Sequence, residues 1–418
     1  MESSTDAGML SPYRVLDLTH EWCLLSGKIL ADLGADVIQI EPPSGHPARR
    51  MGPYYRNEVH PERSLFWWAY TANKRSITLD ISTPDGQALL KRLVPSADFL
   101  IESGPPGEMA AWGLGYKDLA AINPELIVVS VTPFGQDGPY AGYKATDLVG
   151  MGLSGFMYVT GDPDRAPVRV GFPHFFLHGA GAGASGAMMA HMHRTVTGKG
   201  QYVDVSCQEA TTRALANAPQ SYALEGSIIN RQGSYRQTGR DTYMRLTWPC
   251  KDGYVNFQFS GGAGSGRGVN NLVQWMSESG HGDAYLESID FTQLGYGTLD
   301  SAMLERVVPP IENFIASLTK DELFKGAVDR RILLFPVATP QDIVENPQLA
   351  ARSYFQEVTH PDLGTPVTFL GPPVGVSETP ITYRRFPPKL GEHNAEIYGA
   401  ELGLQTDELA RLREANTI

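Results

Sequence analysis

The chain has 418 residues, of which 42% are hydrophobic and 19% are charged, as in an ordinary globular protein. Its formal net charge of -12 repels nucleic acids and anionic membranes, so a polyanionic ligand would need a local cluster of donors and cations. No stretch reaches the roughly 20 consecutive apolar residues of a membrane-spanning helix, and the first residues do not resemble a targeting peptide. We therefore expect a cytoplasmic protein with more than one lobe.

The first third of the chain alternates short β-rich runs with helical patterns, which is typical of a parallel sheet covered by helices. The fold class predicted is therefore α/β, with a Rossmann-like first lobe. Its predicted strands are residues 13–18, 36–40, 76–80, 99–101 and 126–131, and its predicted helices are residues 23–33 and 83–93.

Later segments predict a second, smaller lobe. A glycine- and alanine-rich helix is predicted at residues 179–195, ended by Gly198 and followed by a strand at 201–206. The composition changes between residues 224 and 335, where 260–268 (SGGAGSGRG) is predicted to be a flexible loop and 304–318 a helix. The predicted division is 1–223 for the large lobe, 224–335 for the small lobe, and 336–418 for a proline-rich return segment ending in a helix at 407–415.

Two turns follow predicted strands, at the edge where open α/β sheets bind ligands. His20 and Glu21 follow the first strand without a GxGxxG pattern, which argues against a nicotinamide or flavin cofactor. The free amides of such a strand-to-helix turn suit a phosphate, although the two side chains could equally cap a helix. Glu102 opens the second turn, ESGPPG.

A third turn carries two adjacent cations, Lys74 and Arg75, after Asn73. On its own such a pair is usually a solvated turn. We expect the three turns to share one sheet edge and to form a binding site there. The three cysteines, Cys23, Cys207 and Cys250, show no CxxC spacing, so neither a disulfide framework nor a zinc site is expected.

Several segments, in order and nearly spanning the chain, resemble the class III CoA-transferases, the CaiB/BaiF family. The resemblance rests on VLDLTH (15–20), ADLGADVIQIEPP (31–43), NKRSITLDISTPDGQALLKRLV (73–94), LGYKDLAAINPELIVVSVTPFGQDGPY (114–140), GKGQYVDVSCQEA (198–210) and ENPQLAARSYFQEVTHPDLG (345–364).

The resemblance implies a large Rossmann-like lobe and a small lobe joined by long linkers, in a dimer whose subunits interlock like rings. Coenzyme A is implied as a substrate, with no metal, flavin or nicotinamide. A glycine-rich lid is implied at Gly261, Gly262 and Gly264, and contacts to CoA are implied at His20, Glu21, Trp22, Asn73, Lys74, Arg75, Ser103, Gly104 and Lys144. Family residues that are an asparagine and an arginine correspond here to Ser103 and Ala111, which puts CoA affinity in question.

In similar enzymes an aspartate attacks the acyl-CoA to give a mixed anhydride, and CoA thiolate then converts it to an enzyme thioester. The matching position, five residues after Gly171, is Phe176, and a phenyl ring cannot form an anhydride. His174 and His178 are alternative bases or nucleophiles, although structural histidines are the more common outcome. Their HxxxH spacing could also hold a metal, but no third ligand is evident.

A chain that keeps this scaffold without the nucleophile is expected to be the non-catalytic subunit of a heteromeric transferase, beside a sister subunit that carries the aspartate. Residues 158–170 (YVTGDPDRAPVRV) are similar to those of two-subunit family members that transfer CoA from succinyl-CoA to benzylsuccinate in anaerobic toluene degradation. Two alternatives remain open: an acyl-CoA racemase or isomerase using His174 or His178, and a homodimer that only binds acyl-CoA.

Overall fold

A computed structural model describes residues 8–238, 242–295 and 299–418. In chain order its strands are β1 (Arg14–Leu18), β2 (Asp36–Glu41), β3 (Arg75–Thr78), β4 (Phe99–Glu102), β5 (Ile127–Thr132), β6 (Tyr202–Ser206), β7 (Tyr235–Gln237), β8 (Tyr243–Cys250), β9 (Gly253–Phe259), β10 (Leu334–Pro336), β11 (Phe355–Thr359) and β12 (Pro366–Leu370). Its helices are α1 (Leu25–Asp32), α2 (Leu65–Thr71), α3 (Pro84–Leu93), α4 (Glu108–Ala111), α5 (Tyr116–Ile122), α6 (Asp147–Leu153), α7 (Phe175–Thr197), α8 (Cys207–Arg213), α9 (Ala218–Glu225), α10 (Ser265–Glu278), α11 (Ala284–Glu287), α12 (Ser301–Ala316), α13 (Lys320–Arg330), α14 (Pro340–Val344), α15 (Pro347–Ala351) and α16 (Thr406–Glu414).

The centre of the first unit is a parallel six-stranded sheet in the order β3-β2-β1-β4-β5-β6. Its inner strands are buried along most of their length, because helices cover both faces. On one face Leu16, Ile38 and Leu100 pack with α3 and α16. On the other face α7 lies against β5, where Gly183 leaves no room for a side chain beside Val131.

This strand order is that of a Rossmann-type sheet. The chain moves outward from β1 through β2 to β3, then returns to β4 and moves outward in the opposite direction through β5 to β6. The order therefore reverses between β1 and β4. Ligands of open α/β sheets bind outside the carboxyl ends of the strands at such a reversal.

The second unit is built around an antiparallel sheet in the order β10-β9-β8-β7. Its core includes Trp248, Phe257 and Phe259 of the sheet, packed with apolar residues of α10 and α12. The unit comprises the described residues of 155–171 and 214–346, and the first unit comprises residues 8–154, 172–213 and 347–418. These limits differ from the division at 223 and 335 that we expected, and residues 155–171 leave the first unit altogether.

The mixed α/β fold predicted from the sequence is confirmed, and each strand predicted in the first unit lies within one or two residues of an observed strand. The prediction of a loop over residues 260–268 is wrong in its second half, because α10 begins at Ser265. The return segment contains the β11–β12 hairpin, which the proline content obscured, and ends in α16 as predicted. Among the described residues, no helix has both the length and the apolar character needed to cross a bilayer.

Candidate functional site

The turns after β1 and β4 meet at the sheet reversal. The backbone N–H of His20 donates to Oγ of Ser103 at 2.7 Å, which ties the two turns together. Upstream, Oδ1 of Asp17 accepts from both the amide and the hydroxyl of Thr19, which fixes the start of the first turn. The structure therefore brings His20 and Ser103, two of the predicted CoA contacts, into one crevice.

The His20 ring is packed among buried neighbours. It lies edge-on to Phe176 with 5.5 Å between ring centroids, and its Nε2 lies 3.8 Å from Sγ of Cys23. Its Nδ1 accepts the N–H of Trp22 at 3.3 Å. Burial lowers the pKa of His20 below its usual value, so the imidazole is neutral near pH 7. A neutral imidazole contributes no full charge to a phosphate.

Phe176 occupies the first turn of α7 and is 3% exposed. Its ring contacts both His20 and Phe175, with centroids 5.5 and 5.0 Å away. An apolar ring in the protein interior thus lies at the position that the family resemblance predicts for the nucleophilic aspartate.

The start of α7 is held by Asp147, a buried residue of α6. Its Oδ1 accepts the N–H groups of His174 and Phe175 at 2.8 and 3.0 Å, which satisfies donors that the helix itself leaves free. The sequence carried no signal for this role, because residues 155–171 of the second unit separate Asp147 from the start of α7.

His174 and His178 lie one turn apart, with ring centroids 6.1 Å from each other. Burial, and then the charge of His174, lower the pKa of His178. Across residues 8–238, 242–295 and 299–418 there is no cluster of three or more His, Cys, Asp or Glu residues that could hold a metal. His191 and His193 behave differently from each other, because His191 packs on Tyr13 at 4.5 Å whereas His193 is exposed.

The turn Asn73 to Arg75 requires a correction. It precedes β3 in a parallel sheet, so it lies at the amino-terminal edge, opposite the turns of His20 and Ser103. Our expectation that the three turns share one edge is therefore wrong, because this turn precedes its strand whereas the other two follow theirs.

Both cations of this turn are also buried in ion pairs. Nζ of Lys74 lies 2.7 Å from Oδ2 of Asp17, 2.9 Å from Oε1 of Gln39 and 3.0 Å from the carbonyl oxygen of Leu24. Arg75 pairs with Asp36, Glu396 and Glu401, which join β2 to the return segment.

The amide of Asn73 has a similar role, because it bonds to Asp32 of α1 and to the backbone of Thr382 and Arg384. These side chains stabilise the fold in this structure. A direct contact between any of the three and CoA stays a prediction.

Glu102, at the carboxyl end of β4, is a buried acid that the sequence marked only as the start of a turn. Its Oε2 accepts the N–H of Gly104 at 2.7 Å. Burial raises the pKa of Glu102 to about 7, against the opposing hydrogen bonds from Ser130 and Gly104. Beside it lies a cavity of about 470 Å³ with an apolar floor that includes Leu114 and Val128.

The remaining predicted contacts are more exposed. Glu21 and Trp22 are half-buried, with Trp22 edge-on to Phe66, and Lys144 is exposed just before α6. The predicted lid lies in the second unit, where Gly261 packs against Leu294 and Gly262 has a φ of 102°. Gly264 directly precedes α10.

Comparison with known proteins shows which family the chain belongs to. The sequence profile of CoA-transferase family III matches residues 10–394. The chain belongs to CoA-transferase family III. Enzymes of this family use CoA as a substrate.

Two curated relatives show how far the similarity extends. Succinyl-CoA:(R)-benzylsuccinate CoA-transferase subunit BbsE of Thauera aromatica is 35% identical over 405 residues, which is 96% of each chain. Succinyl-CoA–D-citramalate CoA-transferase of Chloroflexus aurantiacus is 32% identical over 424 residues, the full length of both. Among solved structures, a CAIB/BAIF family protein from Brucella suis matches with a TM-score of 0.79 and 28% identity, covering 95% of this chain and 100% of that one.

The crevice can therefore offer a ligand a rigid pair of turns, in which His20 and Ser103 hold each other in place. The N–H groups of His20 and Gly104 are already bonded, to Ser103 and Glu102. Phe176, at the position that the resemblance predicts for the nucleophile, is an apolar side chain buried beside His20.

Proposed function

We propose that this chain is the non-catalytic subunit of a heteromeric CoA-transferase. The observation that carries the proposal is Phe176, an apolar side chain buried against His20 at the family's nucleophile position. A carboxylate supplied by a sister subunit would perform the acyl transfer, and this chain would complete the assembly. We propose that the two subunits interlock as rings in the manner implied by the family resemblance.

We propose succinyl-CoA as the CoA donor and benzylsuccinate as the acceptor acid. Support comes from the relative whose name specifies both compounds and which is itself called a subunit. The same relative aligns over 96% of this chain, so the similarity includes both structural units. CoA would bind at the turns of His20 to Trp22 and Ser103 to Gly104, with Lys144 nearby.

The proposal is tested by assaying benzylsuccinyl-CoA formation from succinyl-CoA. The purified chain alone is expected to be inactive, and co-expression with an aspartate-bearing sister subunit is expected to restore turnover. Replacing the sister's aspartate with alanine should abolish the restored activity, whereas Phe176→Leu in this chain should preserve it. Turnover by the lone chain would refute the proposal.

A second candidate rests on the two histidines at the start of α7. His174 and His178 are half-buried, and a neutral imidazole is a competent base. An acyl-CoA isomerase would exchange the α-proton of a bound acyl-CoA with deuterated solvent. Exchange by the lone chain that is lost in a His174→Asn, His178→Asn double variant would favour the isomerase. Saturable CoA binding without exchange, and without activation by any partner, would indicate a binding homodimer.

A further inference from the structure

The turn that we propose for CoA carries negative charge. An ideal Cβ built on Gly104 would lie 3.1 Å from Oε2 of Glu108 and 3.5 Å from Oε2 of Glu102. The Gly104 N–H, a donor that could otherwise face a phosphate, is already bonded to Glu102. A polyanion approaching this turn therefore meets two carboxyl groups rather than a free amide.

The cations predicted to offset that charge lie elsewhere. Lys74 is enclosed by Asp17, Gln39 and Leu24, and Arg75 is paired with acids at the opposite edge of the sheet. Lys74 and Arg75 therefore do not offset the repulsion between the CoA phosphates and Glu102. The repulsion would be relieved if Glu102 became neutral.

Several charged and polar groups surround Glu102, and the two acids among them favour its neutral form. Glu108 faces it from α4 and Asp204 from β6, and both charges oppose its ionisation. Ser130 of β5 bonds to it and in turn accepts the hydroxyl of Tyr202 at 2.9 Å. The adjoining cavity, which Lys117 and Asp118 also line, gives the carboxyl group access to solvent protons.

We propose that Glu102 is a positioning residue whose carboxyl group takes up a proton from solvent when CoA binds beside the Ser103–Gly104 turn. The inference rests on the proposed CoA binding. An anion brought close to a carboxyl group disfavours its ionised form, so binding raises the pKa of that group and protonation in turn favours binding. The hydrogen bond to Gly104 survives, because a neutral carboxyl retains an acceptor oxygen.

The pKa of Glu102 without ligand sets the size of the proton uptake. The pKa of Glu102 is about 7 without ligand. A rise of about one unit on binding predicts uptake of about half a proton at pH 7.5 and roughly threefold tighter CoA binding at pH 7 than at pH 8.

Isothermal titration calorimetry of CoA into the purified full-length chain measures this uptake, using buffers of different ionisation enthalpy at pH 7.5. At that pH the phosphomonoester of CoA, with a pKa of about 6, is largely ionised. Dephospho-CoA, which lacks that group, serves as a second probe and should show the same uptake.

Glu102→Gln should bind CoA with no proton uptake and a flat affinity between pH 7 and 8. Glu108→Gln, the matched control at the first residue of α4, should retain the uptake. Wild-type binding without uptake, or uptake that persists in Glu102→Gln, would overturn the inference alone. Absence of saturable binding by the wild-type chain would contradict the proposed CoA site and the inference together.

Discussion

Replacement of Lys74 distinguishes a structural cation from a ligand-binding one. Lys74 and Asp17 are both fully buried, and 2.7 Å separates Nζ from Oδ2. Lys74→Met removes the cation and leaves the Asp17 carboxylate buried, with the amide and hydroxyl of Thr19 as its remaining hydrogen-bond donors in the described part of the chain. Breaking a buried pair in this way typically costs about 3–5 kcal/mol.

Hydrogen exchange is the suitable assay because a chain of two units does not unfold in a single transition. A loss of about 3 kcal/mol speeds exchange through global opening of the first unit by roughly two orders of magnitude. We expect that change at the amides of β1 and β3. The double variant Asp17→Asn, Lys74→Met removes both charges and should recover much of the protection.

The contrary result is equally specific. If Lys74→Met left exchange in β1 and β3 within about a factor of ten of wild type but sharply weakened CoA binding, Lys74 would be a ligand cation. The interpretation of the ion pair as a fold-stabilising contact would then be wrong.

Three further substitutions test the site. Phe176→Ala should destabilise the first unit by about 3–5 kcal/mol through the cavity it leaves beside His20, and Phe176→Leu by clearly less. Equal rates of amide exchange through opening of the first unit in the two variants would contradict the packing. Glu102→Gln should be more stable than wild type at pH 8.5, by at most about 3 kcal/mol, because the ionised acid is unfavourable in the folded chain, where its pKa is about 7 instead of 4.5. This advantage should shrink as the pH falls toward 4.5. Asp147→Ala should cost about 1–2 kcal/mol and speed amide exchange in the first turn of α7, whereas Asp147→Asn, which keeps an acceptor, should cost less.

The sheet was predictable from the sequence because buried parallel strands are short apolar runs separated by helical patterns. Residues 127–132 (IVVSVT) and 99–102 (FLIE) illustrate this, and both strands are buried along their length. Thr83, the first residue of the helix predicted at 83–93, caps α3 by accepting the N–H of Gly86. Buried strands and helix caps depend on neighbouring residues, so they can be predicted from the sequence.

Features that depend on distant contacts were not predictable. Lys74 and Arg75 were recognised as cations, but their partners Asp17 and Glu401 come from other parts of the chain. Residues 155–171 join the second unit through contacts such as the N–H of Gly233 donating to the carbonyl of Gly161 at 2.9 Å. The residue patterns of 73–75 and 155–171 do not indicate these long-range contacts.

The candidate site also combines features that the sequence predicts with features that depend on long-range packing. Its residue types and the replacement at Phe176 were readable from motifs. The burial of Glu102, which raises its pKa to about 7, and the acceptor role of Asp147 at α7 depend on packing that only the folded chain displays. The sequence therefore predicted altered chemistry at Phe176, and the structure shows that this side chain is buried beside His20.

The central claim is that this family III chain lacks a nucleophile of its own and acts with a sister subunit. The most direct test is the rate of benzylsuccinyl-CoA formation by the purified chain, by the aspartate-bearing sister, and by the two co-expressed. Activity confined to the co-expressed pair, and lost with the sister's aspartate, is the predicted result. Turnover by the purified chain alone would contradict the claim.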